Sequence, residues 1–452
     1  MGGGLIQLVT IGAQDVYLTG NPQVTFFKVV YRRYTNFSKE LIQQTIEGQI
    51  GDERQIQCKI KRDGDLIHRI YLEYENNDPF HYPSNFGNFM FNEINLLIGG
   101  QVIDTHTGHW MEVYSRLIYN QQNDQQPIET KMNKKNYSGY QKNSCAGGVI
   151  GTTDNPVTLG KISIPLQFWF CRNPGLALPL IALQYNEVIL QVNFNSLKHI
   201  YKSNKENPIH SDNNINFEIW VEYIYLDTDE RRRFAQVSHE YLIEKIQYVE
   251  KPLESGNNII NLNFNNLIKE LIFSCDWNNF KNLKDKSTDY SSYGSIPGLG
   301  NNNTKVSIQA NSQNIFNPDR TLNYFTRNQI LENHKNFPMI HGNNTHDGII
   351  YYMSNEKKMT NYISTNGPNT EEKFDIIGVH SFCLNPEDHQ PTGSFNFSMA
   401  SDCKLTLKEM CPPKIKPTTK ITYYTESRKL IVYANSYNIL RIMSGMGKLA
   451  YI

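Results

Sequence analysis

The chain has 452 residues, with 44 Lys+Arg against 44 Asp+Glu, so its formal charge is zero. That balance argues against a polybasic nucleic-acid binder, whose affinity needs a concentrated excess of cations. The length exceeds one ordinary core and implies at least two domains. Tyr (27) and Phe (22) are abundant, which suits half-buried pleated surfaces and intermolecular contacts. Seven cysteines (58, 145, 171, 275, 383, 403, 411) form no Cys-x-x-Cys pair. This speaks against a disulfide framework or zinc site and for a reducing compartment.

The N-terminus is an arm. Gly2-Gly3-Gly4, Gly12 and Thr19-Gly20-Asn21-Pro22 interrupt short apolar pieces, Leu5–Val9 and Val24–Phe27, and an aromatic, basic cluster follows at Phe26–Phe37. The breakers predict neither a helix nor an ordinary strand here. Pieces so apolar are expected to lie on something, along the base of the folded body, with Phe26, Phe27, Lys28, Arg32 and Arg33 as the contact residues. No export signal precedes them, and Ile6 stands where a myristoylation pattern wants Ser or Thr. The longest apolar run, Leu176–Leu183, carries Pro179 and is too short to span a bilayer.

Strand-like segments then dominate. They are predicted at 41–46, 55–61, 66–75, 92–98, 162–170, 187–194 and 217–226, and again at 242–250, 258–264, 269–275, 305–310, 376–383, 394–400, 404–408 and 429–433. Between the two sets, Asp227-Thr228-Asp229-Glu230-Arg231-Arg232-Arg233 runs from acidic to basic, the order a short connecting helix favours. The halves echo each other. Leu66-Ile67-His68-Arg69-Ile70 parallels Leu267-Ile268-Lys269-Glu270-Leu271, each followed by a further strand candidate (96–103; 306–316) and a helix-like piece (110–119; 320–332). This ordering suggests one sandwich or jelly-roll architecture used twice.

Five blocks stand out: the arm, the run Ile164-Pro165-Leu166-Gln167-Phe168-Trp169-Phe170-Cys171-Arg172-Asn173-Pro174-Gly175, the connector 225–236, the segment 385–398 with Gln390-Pro391-Thr392-Gly393, and the ending Tyr437–Tyr451. Together they resemble the major capsid proteins of large nucleocytoplasmic DNA viruses, of the chlorella-virus and mimivirus kind. The resemblance runs end to end; only the loops at roughly 120–160, 200–214, 278–304 and 341–372 look individual. It implies an all-β chain of two consecutive eight-stranded antiparallel jelly rolls with a few short helices. The expected divisions are an arm at 1–26, a first jelly roll at 27–226 and a second at 227–452, with 227–240 as connector. It further implies homotrimeric capsomers that tile an icosahedral shell assembled in host cytoplasm. The expected partners are the chain itself, minor capsid proteins and the inner viral membrane surface, with no specific nucleic acid.

No catalytic constellation emerges. His-x-His, His-Glu-x-x-His, Gly-x-x-x-x-Gly-Lys and Gly-x-Ser-x-Gly are absent. His106 and His109 stand three apart without a companion cluster, so no metal, cofactor or enzymatic activity is expected. Asn36, Asn136, Asn302, Asn343 and Asn396 begin N-glycosylation tripeptides; Asn302 and Asn343, in individual loops, are the candidate sugar-bearing positions. The alternative is a carbohydrate-binding jelly-roll virion attachment protein, which needs a groove of exposed aromatics; a cupin-like metal enzyme ranks third.

Overall fold

The computed structural model describes residues 6, 8–51, 53–80, 86–118, 157–195, 215–254, 256–276, 299, 304–334, 377–410 and 429–451. Residues 1–37 and 38–452 are separate compact units.

In the first unit, α1 (Ala13–Thr19) forms where no helix was expected. The glycines that interrupt the arm are its ends: Gly12 N–H donates to Asp15 Oδ2 at 2.9 Å, and Gly20 N–H donates to the Val16 carbonyl at 2.8 Å. The helix buries none of its residues. At seven residues it is below the length at which an isolated helix is stable in water, roughly 12–15 residues.

The second unit is built from two sandwiches. The strands of the first are β1 (Phe37–Gln44), β2 (Glu47–Gly48), β3 (Gln55–Lys59), β4 (Leu66–Phe80), β5 (Phe91–Ile98), β6 (Gln101–Thr107), β7 (Val157–Pro165), β8 (Leu178–Pro179), β9 (Val188–Phe194) and β10 (Ile215–Leu226). They make one sheet ordered β1-β10-β4-β7 and one ordered β2-β3-β9-β5-β6. The second sandwich uses β11 (His239–Pro252), β12 (Gly256–Asn261), β13 (Leu267–Cys275), β14 (Lys305–Ala310), β15 (Gln313–Asn314), β16 (Arg320–Thr321), β17 (Ile377–Ser381), β18 (Phe395–Asn396), β19 (Lys404–Met410), β20 (Lys429–Met443) and β21 (Met446–Leu449). Its sheets read β11-β20-β13-β17 and β12-β19-β14-β15. Apart from the two-residue β2, which has no counterpart, this repeats the first order, the wiring of a jelly roll used twice. Alternating side chains fill each interior: Ile56, Leu72, Ile94, Leu190 and Ile219 in the first, and Ile260, Phe273, Val306, Leu405 and Val432 in the second.

Some expected boundaries shift. The strand predicted at 162–170 ends at Pro165, and Trp169–Arg172 turns helical, because a proline cannot continue a ladder as donor. The pieces at 96–103 and 306–316 are hairpins rather than single strands; Gly99 and Gly100 supply the positive φ of the first turn. Of 394–400, only Phe395–Asn396 pairs, with the first two residues of β13. The strand predicted at 429–433 runs on to Met443, because its partner β11 pairs with it in unbroken register from His239–Ile442 to Pro252–Lys429. The connector is helical as expected: α3 (Thr228–Gln236) has Asp227 as its N-cap, Asp229 and Glu230 in its first turn and Arg233 in its last. Here α2 denotes Gly108–Ile118 and α4 Gln329–Asn333.

Because successive strands alternate direction, each sandwich has two unlike ends. The connections β4–β5, β6–β7 and β9–β10, with β13–β14, the helix-bearing stretch before β17, and β19–β20, leave one end, the loop end. The β3–β4, β5–β6 and β7–β9 connections, their second-half counterparts, the connector α3 and the β20–β21 turn lie at the other, the base.

Candidate functional site

The residues that tie the two sandwiches together form the most chemically elaborate region. Helix α2 leaves β6 and lays Trp110, Val113 and Leu117 against Ile246, Ile272, Val379 and Tyr433 of the second sandwich. Burying each aliphatic chain of that set is worth roughly 1.5–3 kcal/mol. Polar pins fix the register of this apolar contact. His109 Nε2 lies 2.8 Å from the Cys275 carbonyl and Nδ1 lies 2.8 Å from the Tyr433 hydroxyl. A carbonyl only accepts, so Nε2 carries the hydrogen and Nδ1 accepts from Tyr433. Burial holds this imidazole neutral, pushing its pKa down to about 4. Beside it, Asp104 Oδ1 accepts from the Ile246 N–H at 3.2 Å. That bond occupies a donor on β11, an edge strand that would otherwise offer itself for pairing.

Below the apolar contact runs a row of buried charges. Lys269 sits in a β-bulge of β13: Ile268 faces Ser436 and Glu270 faces Asn435, and Lys269 is skipped. Its ammonium donates to Glu244 Oε1 and to the Pro386 carbonyl, both at 2.6 Å. Glu244 Oε2 in turn accepts from Arg172 of the first sandwich at 2.8 Å, and Arg172 also donates to the Tyr114 hydroxyl at 2.7 Å. Burial alone would raise the Glu244 pKa; Arg172 and Lys269 outweigh it and hold it at about 2. Asn435 donates to Glu270 Oε1 at 3.2 Å. Glu270 Oε2 lies 3.1 Å from His334 Nε2, a contact too bent for a good hydrogen bond and best described as an ion pair. His334 Nδ1 lies 3.2 Å from Glu387 Oε1. Three cations, Arg172, Lys269 and His334, thus face three carboxylates, Glu244, Glu270 and Glu387. A cleft of about 430 Å³ opens onto this row, lined by Trp169, Arg172, Glu244, Glu387, Asp388 and His389 among others.

The sequence-predicted residues are not members of this charged row. Phe26 and Phe27 are 91% and 97% exposed, and Lys28, Arg32 and Arg33 are exposed beside them in the first unit. Asn302, Asn343 and Asn136 lie outside the described residues; Asn36 and Asn396 are exposed. His106 and His109 do not share a ligand: His106 Nε2 is 2.9 Å from Asp104 and stacks on Phe168, while His109 is engaged on α2. Among the described residues, no group of His, Cys, Asp and Glu is arranged to hold a metal ion, and no helix is long and apolar enough to cross a membrane. Sequence reasoning missed Arg172, Glu244, Lys269, His334 and Glu387 as a set. The available signal was Lys269-Glu270 inside an otherwise apolar strand, Leu267–Cys275.

Comparison with known proteins follows the same outline. The description "Major capsid protein N-terminus" matches residues 25–227, and "Large eukaryotic DNA virus major capsid protein" matches 230–346 and 368–448. The major capsid protein of Pyramimonas orientalis virus is 38% identical over 460 residues, and that of Paramecium bursaria Chlorella virus 1 is 35% identical over 475, each covering all of both chains. A quasi-atomic model of the PBCV-1 virus capsid superposes with a TM-score of 0.67 at 29% identity, covering 95% of this chain and 100% of that one. The Faustovirus major capsid protein, 10% identical with a TM-score of 0.57 over 96% of this chain and 94% of its own, shares the fold alone.

Proposed function

The chain belongs to the family of major capsid proteins of large eukaryotic DNA viruses, and from that premise we propose that three copies form one capsomer, a pseudo-hexagon of six similar sandwiches that tiles an icosahedral shell. The protein is a structural component of the virion, and no catalytic step is assigned to it. The observation that carries the capsomer reading is the repeated sheet order, β1-β10-β4-β7 and β11-β20-β13-β17, within one chain. Two equivalent bodies per protomer let a threefold assembly occupy a sixfold lattice position, and closed symmetry leaves no interface unsatisfied. We read 1–26 as arm, 27–226 as first jelly roll and 227–452 as second, with 227–240 as connector. An obligate trimer interface of this kind buries more than ~2,000 Å² per contact pair.

The polarity of the sandwiches assigns the faces. Asn302 and Asn343 belong to connections that leave the loop end, which we take as the outer surface and the place for sugars. At the base stand Tyr185, Leu384, Met399, Met443 and Met446, each more than half exposed, and β1 begins there. The base is therefore read as the inward face. The arm, with Phe26, Phe27, Lys28, Arg32 and Arg33, is read as meeting minor capsid proteins or the inner membrane surface during assembly in host cytoplasm. Its separateness as a compact unit supports a role outside the sandwiches.

Native mass measurement of the full chain and of a chain lacking residues 2–25 tests this reading. Both are expected to be trimers, with only the full chain entering particles. A monomer at micromolar concentration overturns the capsomer, and normal particle yield without the arm overturns its assembly role.

A further inference from the structure

His334 is held in a way that a neutral imidazole does not satisfy. Both ring nitrogens face carboxylate oxygens, Nε2 toward Glu270 at 3.1 Å and Nδ1 toward Glu387 at 3.2 Å. A carboxylate accepts but cannot donate, so Nδ1 needs a proton for its hydrogen bond to Glu387, and Nε2 needs one so that the ring is the cation of the ion pair with Glu270. The imidazole side chain is 2% exposed and Glu270 likewise, so water cannot screen a mismatch there. We propose that this site is a pH-operated latch within the second sandwich, beside its junction with the first: doubly protonated His334, at the end of α4, clamps β13 to the loop after β17, and withdrawal of that one proton loosens it.

Among the described residues, the neighbouring cations Lys269 and Arg172 are already committed elsewhere. From β13 come Glu270 and Lys269; from the loop after β17 come Glu387, Asp388 and His389; from β11, Glu244; and from the first sandwich, Arg172. Lys269 is committed to Glu244 and the Pro386 carbonyl, and Arg172 to Glu244 and Tyr114. On the segment leading to His334, Arg327 and Glu332 are exposed. His380 on β17 is buried and kept neutral, its pKa pushed down to about 4 by burial, and Tyr437 on β20 is half-buried or better with its phenol raised out of the neutral range. Without the proton, a lone pair of the ring faces one of the two carboxylates, and the attraction that His334 gives Glu270 and Glu387 is lost. Glu387 and Glu244 line the cleft, which gives hydroxide or a buffer base a route to the proton.

Burial opposes the charge on His334, but the two carboxylates outweigh it and raise its pKa to about 9. A folded-state pKa above the ordinary 6.5 means that the stabilisation is complete below about 6.5 and is lost as pH rises through about 9.

The test uses the full chain in its native assembly. Thermal midpoints and hydrogen exchange of peptides covering 264–275 and 377–390, corrected for intrinsic rates, are followed from pH 6 to 10.5. Wild type is expected to lose midpoint and protection in a one-proton step, while protection of β19 changes little. His334→Gln, which carries no titratable proton, is expected to lack the step and to start from the lower midpoint. Glu387→Gln guards against misfolding of that variant: its amide can donate to the bare ring nitrogen, so the step moves down by about one pH unit or more, a tenfold loss of proton affinity. A wild type without the step, a step retained in His334→Gln, or a step unmoved in Glu387→Gln overturns the latch.

Discussion

The two sandwiches solve one geometric problem with different chemistry. In β4 the residue skipped by the ladder is His68, since Arg69 faces Glu222 and Ile67 faces Tyr223. In β13 it is Lys269. Both bulges turn a buried polar side chain toward the loop that follows the seventh or seventeenth strand: His68 Nδ1 reaches the Phe170 carbonyl at 2.9 Å, and Lys269 reaches the Pro386 carbonyl. The neutral imidazole needs that single acceptor. The ammonium brings a full charge into a site where it is 1% exposed, so it also needs Glu244, and Glu244 brings in Arg172 from the other sandwich. A bulge that is a local anchor in the first half therefore becomes part of the link between halves in the second. Duplication preserved the backbone device, and the residue type decided how far its consequences reach.

The comparison can be broken most forcefully at Lys269. Lys269→Met leaves Glu244 with one cation and the Pro386 carbonyl bare, and is expected to cost about 3–5 kcal/mol in chemical denaturation. Adding Glu244→Gln should return part of that loss, because the orphaned charge disappears with it. A cost no greater than that of the equivalent change in the first half would show that the charged row is not needed at the junction.

That equivalent change, His68→Leu, removes one hydrogen bond to a buried carbonyl without stranding a charge. It is expected to cost about 1–3 kcal/mol in the same assay, and it should leave hydrogen exchange across β11 and β13 as in wild type.

Acid pH separates the halves by window, the sign being the same for both. Burial lowers the His68 pKa below its ordinary 6.5, so its contribution is present above 6.5 and fades as pH falls beneath that value. Glu244, held at about 2, contributes fully above its ordinary 4.5 and loses that contribution only as pH falls on toward 2. Thermal midpoints from pH 7 to 3 should show the deficit of His68→Leu narrowing first and that of Glu244→Gln later. Coincident narrowing would mean that the two anchors are not separately titrated.

The smallest effect sharpens the contrast between buried and exposed pairing. Lys161 bridges Glu73 and Glu218 at 2.7 and 3.0 Å on the face of the first sandwich, with its side chain 46% exposed. Such pairs contribute little because water and salt already solvate both partners. Lys161→Ala is expected to leave the melting midpoint within experimental error; a clear drop would mean that this face is covered in the assembly.

Much of this molecule was legible in the chain alone. Period-two alternation along Glu218-Trp220-Glu222 and its neighbours marks strands because a pleated sheet exposes every second side chain, and that rule acts locally. The acidic-to-basic order of 227–233 likewise marks the connecting helix by the local dipole. The parallel between Leu66–Ile70 and Leu267–Leu271 already carried the duplication, since both segments open the equivalent strand. What the sequence did not determine was which polar residues meet. Glu244 and Arg172 are 72 residues apart, and His109 and Tyr433 are 324 apart. Their protonation follows from burial that exists only once two sandwiches abut. The reach of Lys269 depends on a one-residue slip in a ladder with β20, set by pairing across more than 150 positions. Propensity and pattern are properties of neighbours along the chain, whereas desolvation and charge pairing are properties of neighbours in space; for this reason the fold could be read beforehand, while the charged row joining its halves emerged only from the tertiary structure.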